Sequence, residues 1–226
     1  MDETETPPWG RPRPEREPMF HAPWTIVVLC VGLIALYGAQ SLFVPKAVVD
    51  AYGVSGAALL GGRWQTLATS LFLHESWPHV LMNSVAALAF GPPVARLMGV
   101  NARGAVVFFG FYLICGVVGG LGFVLASVHG ADPAIGASGA ISGLLGAASR
   151  IIQGRGRIGP MFGSTVIGMA AAWAIVNVAL GVSGLTPGAI GVPVAWQAHL
   201  AGYLAGVLLV GPFARLAGRG DSVFTQ

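Results

Sequence analysis

The run Gly136-Ala137-Ser138-Gly139-Ala140-Ile141-Ser142-Gly143-Leu144-Leu145-Gly146 places small and hydroxylated residues at the head of an apolar segment. On a helix, Ser138 and Ser142 lie one turn apart on one face, and Gly139, Gly143 and Gly146 form an adjoining stripe that lets a second helix come close. Ser138 falls at the amino end, where unpaired N–H groups stabilise developing negative charge. A serine N-cap followed by packing glycines has the same pattern, so the segment takes its meaning from the rest of the chain.

The chain of 226 residues is 54% hydrophobic and 9% charged, with a mean hydropathy of +0.73. Soluble domains carry about 25% charged residues, so this chain lacks the groups that keep a surface wet. Its 34 glycines fit membrane helices, where glycine is common and permits close backbone approach. Apolar runs predict six spans, at roughly 24–44, 78–98, 104–127, 137–153, 162–182 and 195–213. The expected fold is therefore an all-α polytopic membrane protein, a compact bundle of six transmembrane helices over 24–215. Residues 1–23 form a Pro/Arg-rich tail and 216–226 a short second tail. The fourth span is short and needs polar neighbours, protein burial or local thinning of the bilayer.

Ten of the 12 basic residues fall on one side of these spans: Arg11, Arg13, Arg16, Arg96, Arg103, Arg150, Arg155, Arg157, Arg215 and Arg219. Lys46 and Arg63 fall on the other. The positive-inside rule then places both termini in the cytoplasm, which predicts a multi-pass protein of the inner (plasma) membrane. The Pro-rich, charged start does not read as a signal peptide. In this topology span 2 enters from outside near His79, span 4 near Ser138 and span 6 near His199, so three polar residues reach similar depth.

In Ala198-His199-Leu200-Ala201-Gly202, followed by Gly206, the imidazole shares a helix face with two glycines. Facing a helix with a serine at matching depth, His199 is placed to take the Ser138 proton. The structural alternative is an imidazole bonded to a backbone carbonyl. In His74-Glu75-Ser76-Trp77-Pro78-His79-Val80-Leu81-Met82-Asn83, His79 and Asn83 are i, i+4 on the first turns of span 2. Each is a candidate donor to an oxyanion, a role whose loss typically costs about 3–4 kcal/mol in the transition state. Pro78 suits a first helical position and Trp77 an interfacial belt. His74 precedes the helix and is expected to orient the loop.

Other chemistries fit poorly. The histidine spacing is not that of zinc peptidases, and no metal or other cofactor is expected. No phosphate-binding loop occurs, and the basic residues lie on membrane turns, which argues against a nucleic-acid partner. Cys30 and Cys115, inside spans, read as small core residues. Apart from Asn177 and a few hydroxyls the span centres are dry, unlike a transport path.

His74 with His79 and Asn83, then Gly136-Ala137-Ser138-Gly139, then Ala198-His199-Leu200-Ala201-Gly202 with Gly206, in this order and at compatible depth in a six-span chain, resemble the rhomboid intramembrane serine proteases. The resemblance covers about residues 60–212. It implies a Ser138 nucleophile, a His199 general base and an oxyanion site from the Ser138 backbone N–H with His79 and Asn83. The dyad would act without a third carboxylate, with single-span membrane proteins as substrates, cut near their outer ends. Two departures stand out. Many bacterial members carry an aromatic residue one turn after the nucleophile to stack on the base, where this chain has Ser142; Phe72, Trp196 or Tyr203 is the expected replacement. Arg63-Trp64 reverses the family's Trp–Arg order in the loop between spans 1 and 2. The alternative within the same scaffold is a catalytically silent module that binds transmembrane helices. The lipid bilayer is the other expected partner, and no oligomeric state follows from the sequence.

Overall fold

A computed structural model describes residues 22–183 and 194–219. The tail expected over 1–23 lies almost entirely outside the described residues, as does most of the one expected over 216–226. The described helices run α1 Trp24–Phe43, α2 Lys46–Tyr52, α3 Gly56–Leu60, α4 Thr66–Thr69, α5 Trp77–Met98, α6 Ala102–Ala126, α7 Ser138–Gln153, α8 Ser164–Ser183 and α9 Trp196–Leu216. Among the described residues, β-structure is limited to isolated bridges.

Five of these helices, α1, α5, α6, α8 and α9, are long and apolar enough to cross a membrane. The sixth long helix, α7, has 16 residues and spans only about 24 Å at the usual rise of 1.5 Å per residue. It occupies the middle of the bundle, with every residue from Gly139 to Ile151 buried. A short helix is tolerated here because its ends meet protein rather than lipid. Val27, Val31, Val106, Ile114, Ile167 and Ile175 leave large apolar side chains exposed on the surrounding helices, as a lipid-facing rim requires.

The glycine stripe explains how α7 fits. A Cβ on Gly202 would strike the Gly139 carbonyl, one on Gly206 the Gly143 carbonyl, and one on Gly146 the Tyr203 carbonyl. On the adjoining side, a Cβ on Gly143 would strike Cys115 of α6, and one on Gly119 of α6 would lie 2.9 Å from the Ala198 carbonyl oxygen. Helices α6, α7 and α9 thus meet backbone to backbone, which dispersion favours in a medium where apolar burial alone drives little association.

Polar groups secure the helix ends. Ser76 caps α5 by accepting from His79 N–H at 3.3 Å, and Asn101 caps α6 by accepting from Gly104 N–H at 2.8 Å. Arg150, counted among the basic residues of the cytoplasmic side, sits in the last turn of α7 and is buried. It donates to the Gly159 carbonyl at 2.8 Å and the Val207 carbonyl at 2.9 Å, tying the following loop to α9. The charge pattern does not separate a cytoplasmic arginine from one that holds backbone carbonyls inside the protein.

At the opposite end, the segment after α1 folds into short helices, and Lys46 pairs with Asp50 at 2.7 Å and Glu75 at 3.3 Å. These pairs, with burial opposing them, raise the Lys46 pKa above its ordinary value. Val54 bridges Ala134, and Gly136 N–H donates to the Ser70 carbonyl at 2.9 Å. These bonds anchor the loop that leads into α7 and so fix where Ser138 begins the helix.

Candidate active site

Ser138 is the first residue of α7, and the turn before it depends on Gly136. Gly136 has φ +126°, a conformation that disfavours any side chain. A Cβ added there would lie 2.7 Å from His79 Nε2 and 3.7 Å from Ser138 Oγ. Leaving it out opens a space about one atom wide, bordered by both the hydroxyl and the imidazole.

His199, in the first turn of α9, reaches the same hydroxyl, with Nε2 2.7 Å from Ser138 Oγ. Its other ring nitrogen, Nδ1, is hydrogen-bonded to Asn177 Oδ1 of α8. The Asn177 amide is itself fixed, because Nδ2 donates to the Trp173 carbonyl at 2.8 Å. Trp173 also lies beside the base, its ring centroid 6.0 Å from that of His199 and its plane tilted by 34°.

Asn83 lies one turn beyond His79 on α5 and is buried, yet its Nδ2 has no hydrogen-bond partner among the described residues. A buried donor left unpaired costs about 1–3 kcal/mol of stability and calls for an explanation. The leading N–H groups of α7, Ser138 among them, also lack a preceding carbonyl within the helix. Two unused donor sets therefore belong to the helix ends that carry His79 and Ser138.

His74 lies behind His79, edge to face, with ring centroids 5.1 Å apart. Its backbone is clamped to Gln40 of α1, which donates to the His74 carbonyl at 2.6 Å and accepts from its N–H at 3.1 Å. Neither ring nitrogen makes a hydrogen bond of normal geometry. Burial, then the neighbouring His79, pushes its pKa down to about 3 against a weaker pull from the Phe72 backbone. The ring is therefore neutral near pH 7, supporting His79 by packing.

The Ser142 hydroxyl turns back along α7 and donates to the Ser138 carbonyl at 2.8 Å. One expectation about the surroundings of the base needs correction. None of Phe72, Trp196 and Tyr203 takes the place of the missing aromatic. Tyr203 points its hydroxyl at Ser149 Oγ, 3.1 Å away, and the Val166 carbonyl, 2.9 Å away. Trp196 packs on Gly181, and Phe72 lines an apolar groove with Val44, Val48 and Tyr52. The ring beside the base is Trp173, which the sequence reading passed over together with the role of Asn177. The available signal was an amide in the middle of a dry span, with an aromatic residue one turn earlier.

Gly139, Gly202 and Gly206 serve the close crossing of α7 and α9, which carries His199 to Ser138. A helix-start serine, an imidazole from another helix and unused donors beside them, inside a membrane-spanning bundle, define a class of polytopic membrane protein with a serine–histidine site. The chain belongs to the rhomboid family, matching the Rhomboid domain over residues 61–215.

Among its relatives, the putative rhomboid protease YdcA of Bacillus subtilis (strain 168) is 33% identical over 112 residues, 48% of this chain and 50% of that protein. Rhomboid protease GluP of the same organism is 35% identical over 98 residues, 43% of this chain and 18% of that protein. RHOMBOID-like protein 9, chloroplastic, of Arabidopsis thaliana is 39% identical over 89 residues, 39% of this chain and 19% of that protein. The matches thus span half or less of these relatives' lengths. At the level of the family, the named protease relatives support a protease.

Proposed function

We propose that this protein is an intramembrane serine endopeptidase that cuts transmembrane segments of single-span proteins near the outer face of the cytoplasmic membrane, with both of its own termini in the cytoplasm. The observation that carries this reading is the 2.7 Å separation of Ser138 Oγ and His199 Nε2. Charge placement supports the orientation, and family membership supports proteolysis.

In the proposed reaction, an unwound stretch of substrate enters at the outer ends of α5, α7 and α9. His199 Nε2 accepts the Ser138 proton as Oγ attacks the scissile carbonyl carbon, and the carbonyl π electrons move onto oxygen. His79, Asn83 and the Ser138 N–H donate to that oxyanion. Collapse breaks the C–N bond, with the proton passing from the imidazolium to the departing amine and leaving an acyl-enzyme. Water then attacks the ester, giving one proton to His199, and collapse returns it to Ser138 Oγ while the new carboxyl terminus leaves. Helical peptide bonds resist this sequence because their carbonyls are occupied, so segments loosened by glycine or proline are preferred.

Reconstitution in liposomes with a panel of single-span substrates tests the reading. The expected result is two fragments, with the new amino terminus mapping to the outer part of the substrate span. Substrates that bind but remain intact across the panel would favour the silent helix-binding module.

A further inference from the structure

We infer that Asn177 is a positioning residue for His199: its side-chain oxygen holds the imidazole in the tautomer with Nδ1 protonated and Nε2 bare toward Ser138, a role built on α8. The inference rests on the proposed peptidase reading for its consequence in turnover, but its geometry stands apart from it.

Asn177 Oδ1 and His199 Nδ1 are hydrogen-bonded, and an amide oxygen only accepts, so Nδ1 must be the protonated nitrogen. Which end of an asparagine amide is oxygen is often ambiguous, but here Nδ2 is committed to the Trp173 carbonyl at 2.8 Å. Reversing the amide would set oxygen against that carbonyl oxygen. A neutral imidazole protonated at Nδ1 carries its lone pair on Nε2, the nitrogen 2.7 Å from Ser138 Oγ. The bond chain Trp173 carbonyl, Asn177, His199, Ser138 therefore runs in one direction, and reversing any link leaves two donors or two acceptors facing each other.

Asn177 is buried and lies one helical turn after Trp173, so both side chains share the face of α8 turned to the base. The ring limits how His199 rotates, and the amide selects its tautomer. A carboxylate at this place would hold the same proton but carry a charge into a buried membrane site; an amide avoids that cost. With Ser142 turned toward the Ser138 carbonyl, α8 supplies the support that α7 does not.

The test uses the full chain and four readouts. Asn177→Ala is expected to lower kcat about 10²-fold, the low end of what general-base catalysis contributes, with KM within about twofold. Its rate of Ser138 labelling by a fluorophosphonate should fall in parallel. Asn177→Asp, which keeps an acceptor for Nδ1–H, should recover at least about tenfold over Asn177→Ala. Its acid limb should move to higher pH, because a carboxylate stabilises the imidazolium and raises the pH at which the base is lost. A packing role alone would leave that limb in place.

Nitrogen-15 NMR of His199 in the wild type gives a readout independent of turnover and of variant folding: Nδ1 should carry the proton and Nε2 none. The opposite tautomer, an Asn177→Ala labelling rate within twofold of wild type, or an aspartate no better than alanine would overturn the inference. A wild-type protein that the fluorophosphonate never labels would instead count against the peptidase reading, leaving the tautomer measurement to decide this one.

Discussion

Ser138→Ala and His199→Ala are each expected to lower kcat by at least about 10⁴-fold against a reconstituted single-span substrate, and the double variant should be no worse than either alone. The reason is that Ser138 Oγ and His199 Nε2, 2.7 Å apart, act as one unit in the proposed reaction. Without the base the hydroxyl is a weak nucleophile, and without the hydroxyl the base has no proton to take. If the two contributed separately, the double variant would show the product of the two losses. The single-variant losses should appear mainly in kcat, because neither residue is needed to hold the substrate. His199 also makes the Asn177 bond, so thermal unfolding should accompany the kinetics, distinguishing lost chemistry from lost fold.

Asn83→Ala is expected to lower kcat by about 10²–10³-fold, the usual loss for one oxyanion donor, while thermal stability holds or rises. The two effects have one cause. Asn83 Nδ2 is buried without a partner, so folding bears its desolvation, about 1–3 kcal/mol for such a group. In the proposed reaction the donor is used only when an oxyanion forms. Alanine removes both the cost in the resting protein and the benefit in the transition state, a trade between stability and activity common at functional sites. A variant that lost both stability and KM would show that Asn83 is a structural residue instead. Paired measurements of kcat and melting temperature in one detergent would separate the two cases.

Most of the bundle was legible in the sequence because lipid-facing helices announce themselves through composition. The span read at 78–98 is α5, at 77–98, and the one read at 162–182 is α8, at 164–183. Even the short fourth span was readable as unusual, and its burial among longer helices supplies the reason. The meeting of Ser138 with His199 followed from depth and from glycines facing each other across α7 and α9. Backbone contact of that kind needs small residues at fixed spacing, a pattern visible without coordinates.

What surrounds the base was not legible. Phe72, Trp196 and Tyr203 are the aromatic residues the sequence offers for packing on it, yet Tyr203 faces Ser149 and Val166. Trp173 and Asn177 come from a different helix, whose rotation relative to α9 is set by the whole assembly. Helix α8 is nearly uniformly apolar and has no glycine stripe to reveal which face turns inward. The segment between α1 and α5 was equally opaque: its helices have four to seven residues, too short to form by propensity alone. In it Arg63 donates to the Ala51 carbonyl at 2.8 Å while Trp64 is exposed, an arrangement the reversed dipeptide does not foretell.

The proposed reaction requires Ser138 to be an activated nucleophile. Treating the purified protein with a fluorophosphonate and mapping the adduct by mass spectrometry reads this out without a substrate. One adduct is expected, on Ser138, absent from Ser138→Ala and strongly slowed in His199→Ala. An unmodified Ser138 in folded wild-type protein, or a Ser138→Ala variant that cleaves substrate at the wild-type rate, would contradict it.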